Sequence, residues 1–135
     1  MLTRRTFVAC AICAAGGFLA SGVDAQTNAV TPGVKRTLLK QTDGPIEGYV
    51  TVEMRVDIEP AAVVARHTHP GVESGYVVEG GTDLKIDGIG EFALKPGDAF
   101  QVPTGVPHGG VNGPAETVII VTFVVEKGKP VASPA

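Results

Sequence analysis

The segment Tyr49-Val50-Thr51-Val52-Glu53-Met54-Arg55-Val56-Asp57-Ile58-Glu59 alternates without a break: Val50, Val52, Met54, Val56 and Ile58 fall on one side, and Tyr49, Thr51, Glu53, Arg55, Asp57 and Glu59 on the other. Successive side chains of an extended chain point to opposite faces, so this pattern predicts a strand with one buried face.

Outward from this strand, further strands are predicted over 63–68, 75–79, 83–87, 91–94, 99–102, 109–112 and 117–125. Turn signals separate them at Pro70-Gly71, Gly80-Gly81, Asp87-Gly88, Pro96-Gly97-Asp98, Pro103-Thr104-Gly105 and Gly113-Pro114. The 18 Gly and 10 Pro, with many Val and Ile and few strong helix formers, suit short strands joined by tight turns. At 135 residues the chain has room for one core. The expectation is an all-β single domain, a sandwich or a barrel. In 117–125 both faces are apolar, which predicts a cover on the second face, either from the chain itself or from a partner subunit. A homodimer is expected.

Residues 1–25 read as a signal peptide: Arg4 and Arg5, an apolar run from Phe7 to about Ala20, then Ser21-Gly22-Val23-Asp24-Ala25 with small residues suited to cleavage after Ala25. The run is shorter than the roughly 20 residues a membrane helix needs, so no stable membrane span is expected after cleavage. Thr3-Arg4-Arg5-Thr6-Phe7-Val8 resembles the twin-arginine export signal, and an ordinary secretory signal is the alternative. Either route predicts a periplasmic or secreted protein. Twin-arginine export carries folded cargo, which would let a metal be chosen before export. Cys10 and Cys13 fall within this segment, so the remainder has no cysteine. Residues 26–33 read as a linker, 34–126 as the domain and 127–135 as a flexible tail.

The formal charge is −3, and Lys and Arg form no cluster beyond the first residues, which argues against a nucleic-acid partner. With no Trp and only 5% aromatic residues, the chain also lacks the makings of a stacking platform for bases or long sugar polymers. A small-molecule ligand fits better.

All three histidines lie in two short segments, His67-Thr68-His69 with Glu73 following, and His108 after Pro103-Thr104-Gly105-Val106-Pro107. On a strand, residues i and i+2 share a face, so His67 and His69 present two imidazoles about 6–7 Å apart along the backbone. Glu73 follows Pro70-Gly71, where the chain can double back, and His108 can close the site from a distant strand. Three neutral imidazoles and a carboxylate suit one divalent transition metal ion, such as Fe, Mn, Ni or Zn. A six-coordinate ion would keep two positions open for substrate, O₂ or water.

These segments resemble the cupin superfamily. Its first motif, G-x5-H-x-H-x3-4-E-x6-G, is matched by His67, His69, Glu73 and Gly80, with Ala61 in place of the leading glycine. Its second, G-x5-P-x-G-x2-H-x3-N, is matched by Gly97, Pro103, Gly105, His108 and Asn112. The resemblance implies a single antiparallel jelly-roll β-barrel with the metal inside its mouth, held by His67, His69, Glu73 and His108. The departure at Ala61 concerns a turn, not a ligand.

Gly80, Gly97, Pro103 and Gly105 are read as turn residues and Asn112 as structural. Tyr76, Phe100, Met54 and Phe123 are read as core, and Gln101 and Tyr49 as candidate polar groups of the pocket. The expected function is a small-molecule metalloenzyme, a dioxygenase first and an isomerase, decarboxylase or lyase next. Glu73 would then serve as both ligand and catalytic proton acceptor. The rival is a non-catalytic cupin that binds a metal or small ligand. One barrel hosts both kinds, so fold does not choose between them.

Overall fold

The computed structural model describes residues 31–135. The predicted signal peptide, 1–25, and most of the linker lie outside these residues. Ten strands follow in order: β1 (Val34–Asp43), β2 (Tyr49–Ile58), β3 (Val63–Thr68), β4 (Gly71–Glu79), β5 (Thr82–Ile86), β6 (Gly90–Leu94), β7 (Ala99–Val102), β8 (His108–Asn112), β9 (Thr117–Glu126) and β10 (Ser133–Pro134). No helix occurs among the described residues, and hence none long and apolar enough to cross a membrane.

The strands form two five-stranded sheets, ordered β1-β2-β9-β4-β7 and β10-β3-β8-β5-β6, with antiparallel pairing throughout. The fold is the expected all-β jelly roll. β2 pairs with β9 from Tyr49↔Glu126 to Ile58↔Thr117 without a register shift. Its predicted inner face, Val50 through Ile58, is buried and packs against Ile119, Val121, Phe123 and Val125. A single-residue slip would turn that whole face to water, which is why alternation this clean specifies the register. The outer face of β9, at Ile120, Thr122 and Val124, is half-buried.

Asn112 and Thr117 tie the sheets together. Asn112 Nδ2 lies 2.9–3.0 Å from the carbonyl oxygens of Ile58, Glu59 and Ala115, so its two hydrogens serve the end of β2 and the loop before β9. Thr117 Oγ1 accepts from Gly81 N at 2.8 Å and donates to Gly81 O at 3.0 Å. Gly80 has φ +78°, and a Cβ there would stand 2.2 Å from the Glu116 carbonyl oxygen. Only glycine meets both demands.

Ala61 has φ +57°, the only non-glycine residue with positive φ among those described. The departure from the cupin pattern therefore places a side chain in the left-handed region, where an L-residue is disfavoured.

Four expectations differ from the structure. Gly71 opens β4 instead of turning the chain, because a Cβ there would lie 1.9 Å from the Val124 carbonyl oxygen: the glycine serves close strand approach, and the bend falls at Pro70. β1 is a strand that alternation does not reveal, since it is an edge strand with most residues exposed. The end of the linker is also structured: Val34 N donates to Thr31 O at 3.1 Å and Glu59 N to Gly33 O at 2.8 Å. Lastly, the predicted tail folds back. Val131 is 5% exposed within the core, Ser133 and Pro134 pair with Thr68 and His67, and Ala135 N donates to Arg66 O at 3.2 Å. One buried valine and an unpaired edge of β3 suffice to dock a segment whose Gly, Pro and Lys content reads as loose.

Candidate metal centre

The four residues come from both walls of the sandwich. His67 lies on β3 directly opposite His108, the first residue of β8, and both belong to the second sheet. His69 follows β3. The chain then crosses at Pro70 to the first sheet, where Glu73 on β4 pairs with Val102 and Phe123. The i and i+2 placement brings the His67 and His69 rings to 4.9 Å between centroids, and His108 stands 4.3 Å from His67 and 4.9 Å from His69. His69, Glu73 and His108 are buried, and His67 is partly open.

The hydrogen bonds fix which nitrogen of each ring faces inward. Nδ1 of His67 faces the carbonyl oxygen of Ala65 at 2.8 Å, Nδ1 of His69 that of Val131 at 2.5 Å, and Nδ1 of His108 that of Val106 at 3.0 Å. A carbonyl only accepts, so each Nδ1 carries the proton and each neutral ring holds its lone pair on Nε2. Oε2 of Glu73 sits 2.9 Å from His108 Nε2 and 3.2 Å from His69 Nε2. These separations are short enough for hydrogen bonds but not aligned as such, and all three atoms are buried without a hydrogen-bond partner.

Two imidazole lone pairs and a carboxylate oxygen thus meet in a buried space with no donor between them. Such an arrangement repels itself unless a positive charge lies at its centre, either a proton or a metal ion. The donor atoms of His67, His69 and His108 all lie within 4.8 Å of one another. Nitrogens on opposite sides of one ion stand about 4 Å apart, twice the usual metal–nitrogen length. The three histidines therefore form a group that can hold a metal ion, and the chemistry of the donors fits a borderline divalent transition metal.

The electrostatics agree. Burial pushes the Glu73 carboxyl up, but its contacts with His108 and His69 outweigh burial and hold it at about 2. Burial pulls the His108 imidazole down, and Glu73 reverses this to a net rise. His67 is lowered to about 4, chiefly by burial. His67 is thus a neutral donor at physiological pH, and Glu73 is ionised.

Beside the cluster lies a cavity of about 70 Å³, whose walls include Phe100, Val121 and Phe123 from the first sheet and Val64 and Leu84 from the second. Phe123 packs on the His69 ring at 4.8 Å. The core reading holds for Met54, which is fully buried. Phe123 serves both core and cavity, half-buried Phe100 lines the cavity, and Tyr76 is 51% exposed on the outer face of β4. Neither polar candidate reaches the cavity wall: Gln101 is exposed and donates to Ser74 Oγ at 3.1 Å, and Tyr49 lies at the far end of β2. Gly80, Gly97 and Gly105 adopt positive φ, as turn residues do.

Sequence reasoning missed two participants. Arg36, on β1, lines the cavity, and its signal was the inward parity it shares with Val34. The Val131 carbonyl, which sets the His69 tautomer, left no signal, because a backbone group carries no residue type.

A sequence model described as the cupin domain matches residues 54–126. Germin-like protein subfamily 3 member 1 of Arabidopsis thaliana is 30% identical over 103 residues, covering 72% of this chain and 49% of that protein. The chain thus spans about half the length of the curated relative it matches. Among solved structures, KdgF from Halomonas sp. superimposes with a TM-score of 0.61 at 28% identity, covering 74% of this chain and 86% of that one. An RmlC-like cupin from Shewanella frigidimarina gives 0.61 at 27% identity, covering 79% and 89%.

Proposed function

This chain belongs to the cupin family, and on that premise we propose that it is an exported metalloenzyme acting on a small oxygen-bearing molecule, with dioxygenase the first reaction type and isomerase, decarboxylase or lyase next. The observation that carries the proposal is the buried convergence of His69 Nε2, His108 Nε2 and Glu73 Oε2 without a donor, with His67 at the more open side. His67, His69, Glu73 and His108 would hold one divalent ion of Fe, Mn, Ni or Zn. Such an ion supplies Lewis-acid polarisation and open positions for a ligand.

The chain's own residues do the rest. The carbonyls of Ala65, Val131 and Val106 keep the three rings in the binding tautomer. Phe100, Val121 and Phe123 give the cavity an apolar wall that limits water beside the reacting atoms. Glu73 is ionised at neutral pH, and because its contacts with His108 and His69 hold its carboxyl at about 2, it would serve as a proton acceptor only on leaving those partners.

A non-catalytic binding role is favoured by one observation. Apart from the cluster, the titratable residues among those lining the cavity are Arg36 and Asp83, and Asp83 is an exposed position of β5, so no second acid or base stands inside. Metal analysis of the protein from its native host, followed by oxygen uptake and product analysis, separates the two. Stoichiometric Fe, Mn or Ni with turnover supports the enzyme. Bound metal without turnover across candidate substrates supports the binding role, and no metal after replenishment sinks both.

Export to the periplasm or medium belongs to the same proposal, and an N-terminus other than Gln26 on the mature protein would count against it. A homodimer is proposed through the outer face of the first sheet, where Val72, Tyr76 and Val78 of β4 are exposed. Light scattering on the purified protein tests it.

A further inference from the structure

Along β3, Val63 is exposed, Val64 half-buried, Ala65 and Arg66 both exposed, and His67 half-buried again. The alternation breaks at Ala65-Arg66, and the pairing with β8 breaks at the same place. Val64 lies opposite Gly110 and His67 opposite His108, so Ala65 and Arg66 together face the single residue Gly109. This is a β-bulge, an extra residue in one strand of an antiparallel pair.

The extra residue decides which way His67 points. Val64 lines the cavity. In an unbroken strand its face would pass to Arg66, which would stand opposite His108, and His67 would project to the outer side of the sheet. The bulge returns His67 to the inner face. It also brings the carbonyl oxygen of Ala65, one of the two bulged residues, to 2.8 Å from His67 Nδ1. His69 has ties of its own, to the Val131 carbonyl and, through the neighbouring Thr68, to Ser133 of β10.

Gly109 leaves the room that the bulge occupies. A Cβ there would stand 2.7 Å from the Val64 carbonyl oxygen and 3.1 and 3.2 Å from Arg66 Cα and N. All three are backbone atoms, which cannot swing aside as the end of a side chain can. On its other side β8 is held in register with β5, Gly109 opposite Lys85, so a displacement passes to β3.

Resting on the proposed metal site, we infer that Gly109 is a positioning residue: by admitting the β3 bulge it turns His67 toward the metal and seats the Ala65 carbonyl on His67 Nδ1.

The test uses the full mature protein, ¹⁵N-labelled, with and without Co(II). In metal-free wild type, nuclear Overhauser contacts should join His67 to His108 and Val64 to Gly110. Contacts pairing Arg66 with His108 overturn the inference. In Gly109→Ala, the imidazole nitrogen shifts of His67 should lose the Nδ1–H signature while those of His69 stay. Cobalt should bind about 10–100-fold more weakly, as on losing a contact that supports a ligand. Added to His67→Ala, Gly109→Ala should weaken the residual cobalt binding no further, because it acts through His67. Val52→Ala, which loosens the core away from the cavity, should lower Tm without moving the His67 signals or the cobalt affinity. Wild-type His67 shifts in Gly109→Ala, or losses that Val52→Ala reproduces, overturn the inference. So does a Gly109→Ala protein that fails to fold, because a displacement confined to β3 leaves the core standing. A wild type that binds no cobalt, but whose His67 signals respond to Gly109→Ala as expected, overturns the metal reading alone.

Discussion

Glu73, from the first sheet, and His108, from the second, meet with Oε2 and Nε2 2.9 Å apart, so the two walls of the barrel touch through a carboxylate and an imidazole at the point where a metal would sit. In the metal-free protein, a second proton taken up by His108 would offset part of the repulsion among these atoms. Glu73 raises His108 against the effect of burial, so His108 takes up its proton at higher pH than a free imidazole. Metal affinity should therefore fall first through His108 as pH drops, by about tenfold per unit below its pKa, whereas His67 competes only near pH 4. Chelator competition at a series of pH values checks this.

Stability of the metal-free protein should pass through a maximum near the ordinary imidazole value of 6.5. His108, raised on folding, contributes stability that is fully present below its unfolded pKa and lost as pH rises through the folded one. His67 works in the opposite sense. Its folded value of about 4 means the unfolded chain binds the extra proton, so stability falls as pH drops from 6.5 toward 4. Glu73, held at about 2 against an ordinary 4.5, adds a further loss below pH 4.5. A His67→Gln protein should lose the decline between 6.5 and 4, as read by denaturant melts.

His67→Ala and His108→Ala should each abolish tight metal binding. Arg66→Ala should leave it intact, because Arg66 is exposed and pairs with Asp87 on the outer side of the second sheet. Equal metal content in wild type and His67→Ala would refute the site.

Removing residues 130–135 deletes the carbonyl that receives the His69 Nδ1 proton. Metal affinity should drop about 10–100-fold, the usual cost of losing such a supporting contact. Val131→Ala separates this from packing. It keeps the carbonyl, and it should lower stability by about 1–3 kcal/mol with little change in affinity. Isothermal titration and urea melts on both variants make the comparison.

Ala61→Gly should stabilise the protein. The left-handed conformation costs a non-glycine residue about 1–2 kcal/mol, and glycine's greater freedom in the unfolded chain returns about 0.4–1 kcal/mol of that. A net gain of up to about 1.6 kcal/mol is expected from equilibrium unfolding, and a loss would show that this backbone is not strained.

What could be read from the residues alone follows physical rules. The alternation of Val50 to Ile58 was decisive because a half-buried strand writes its register into residue type, and the histidines were legible because metal chemistry demands particular atoms at particular spacings. β1 escaped because an edge strand in water needs no alternation, although Val34 and Arg36 carry a short inward parity. Gly71 misled because the same residue serves a turn and a close strand approach, and only the neighbouring Val124 carbonyl distinguishes them. Val131 was invisible as a partner of His69, since its contribution is a backbone oxygen brought near by tertiary packing.

The docking of Val131 also sets an order of events during synthesis. His67, His69 and Glu73 leave the ribosome together, His108 follows, and the group that fixes the proton on His69 emerges later still. Until then the His69 ring is free to exchange its tautomer, and an ion captured by the early pair would meet a site with one wall missing. A site completed in this way would settle its metal only after the segment around Val131 has docked beside β3.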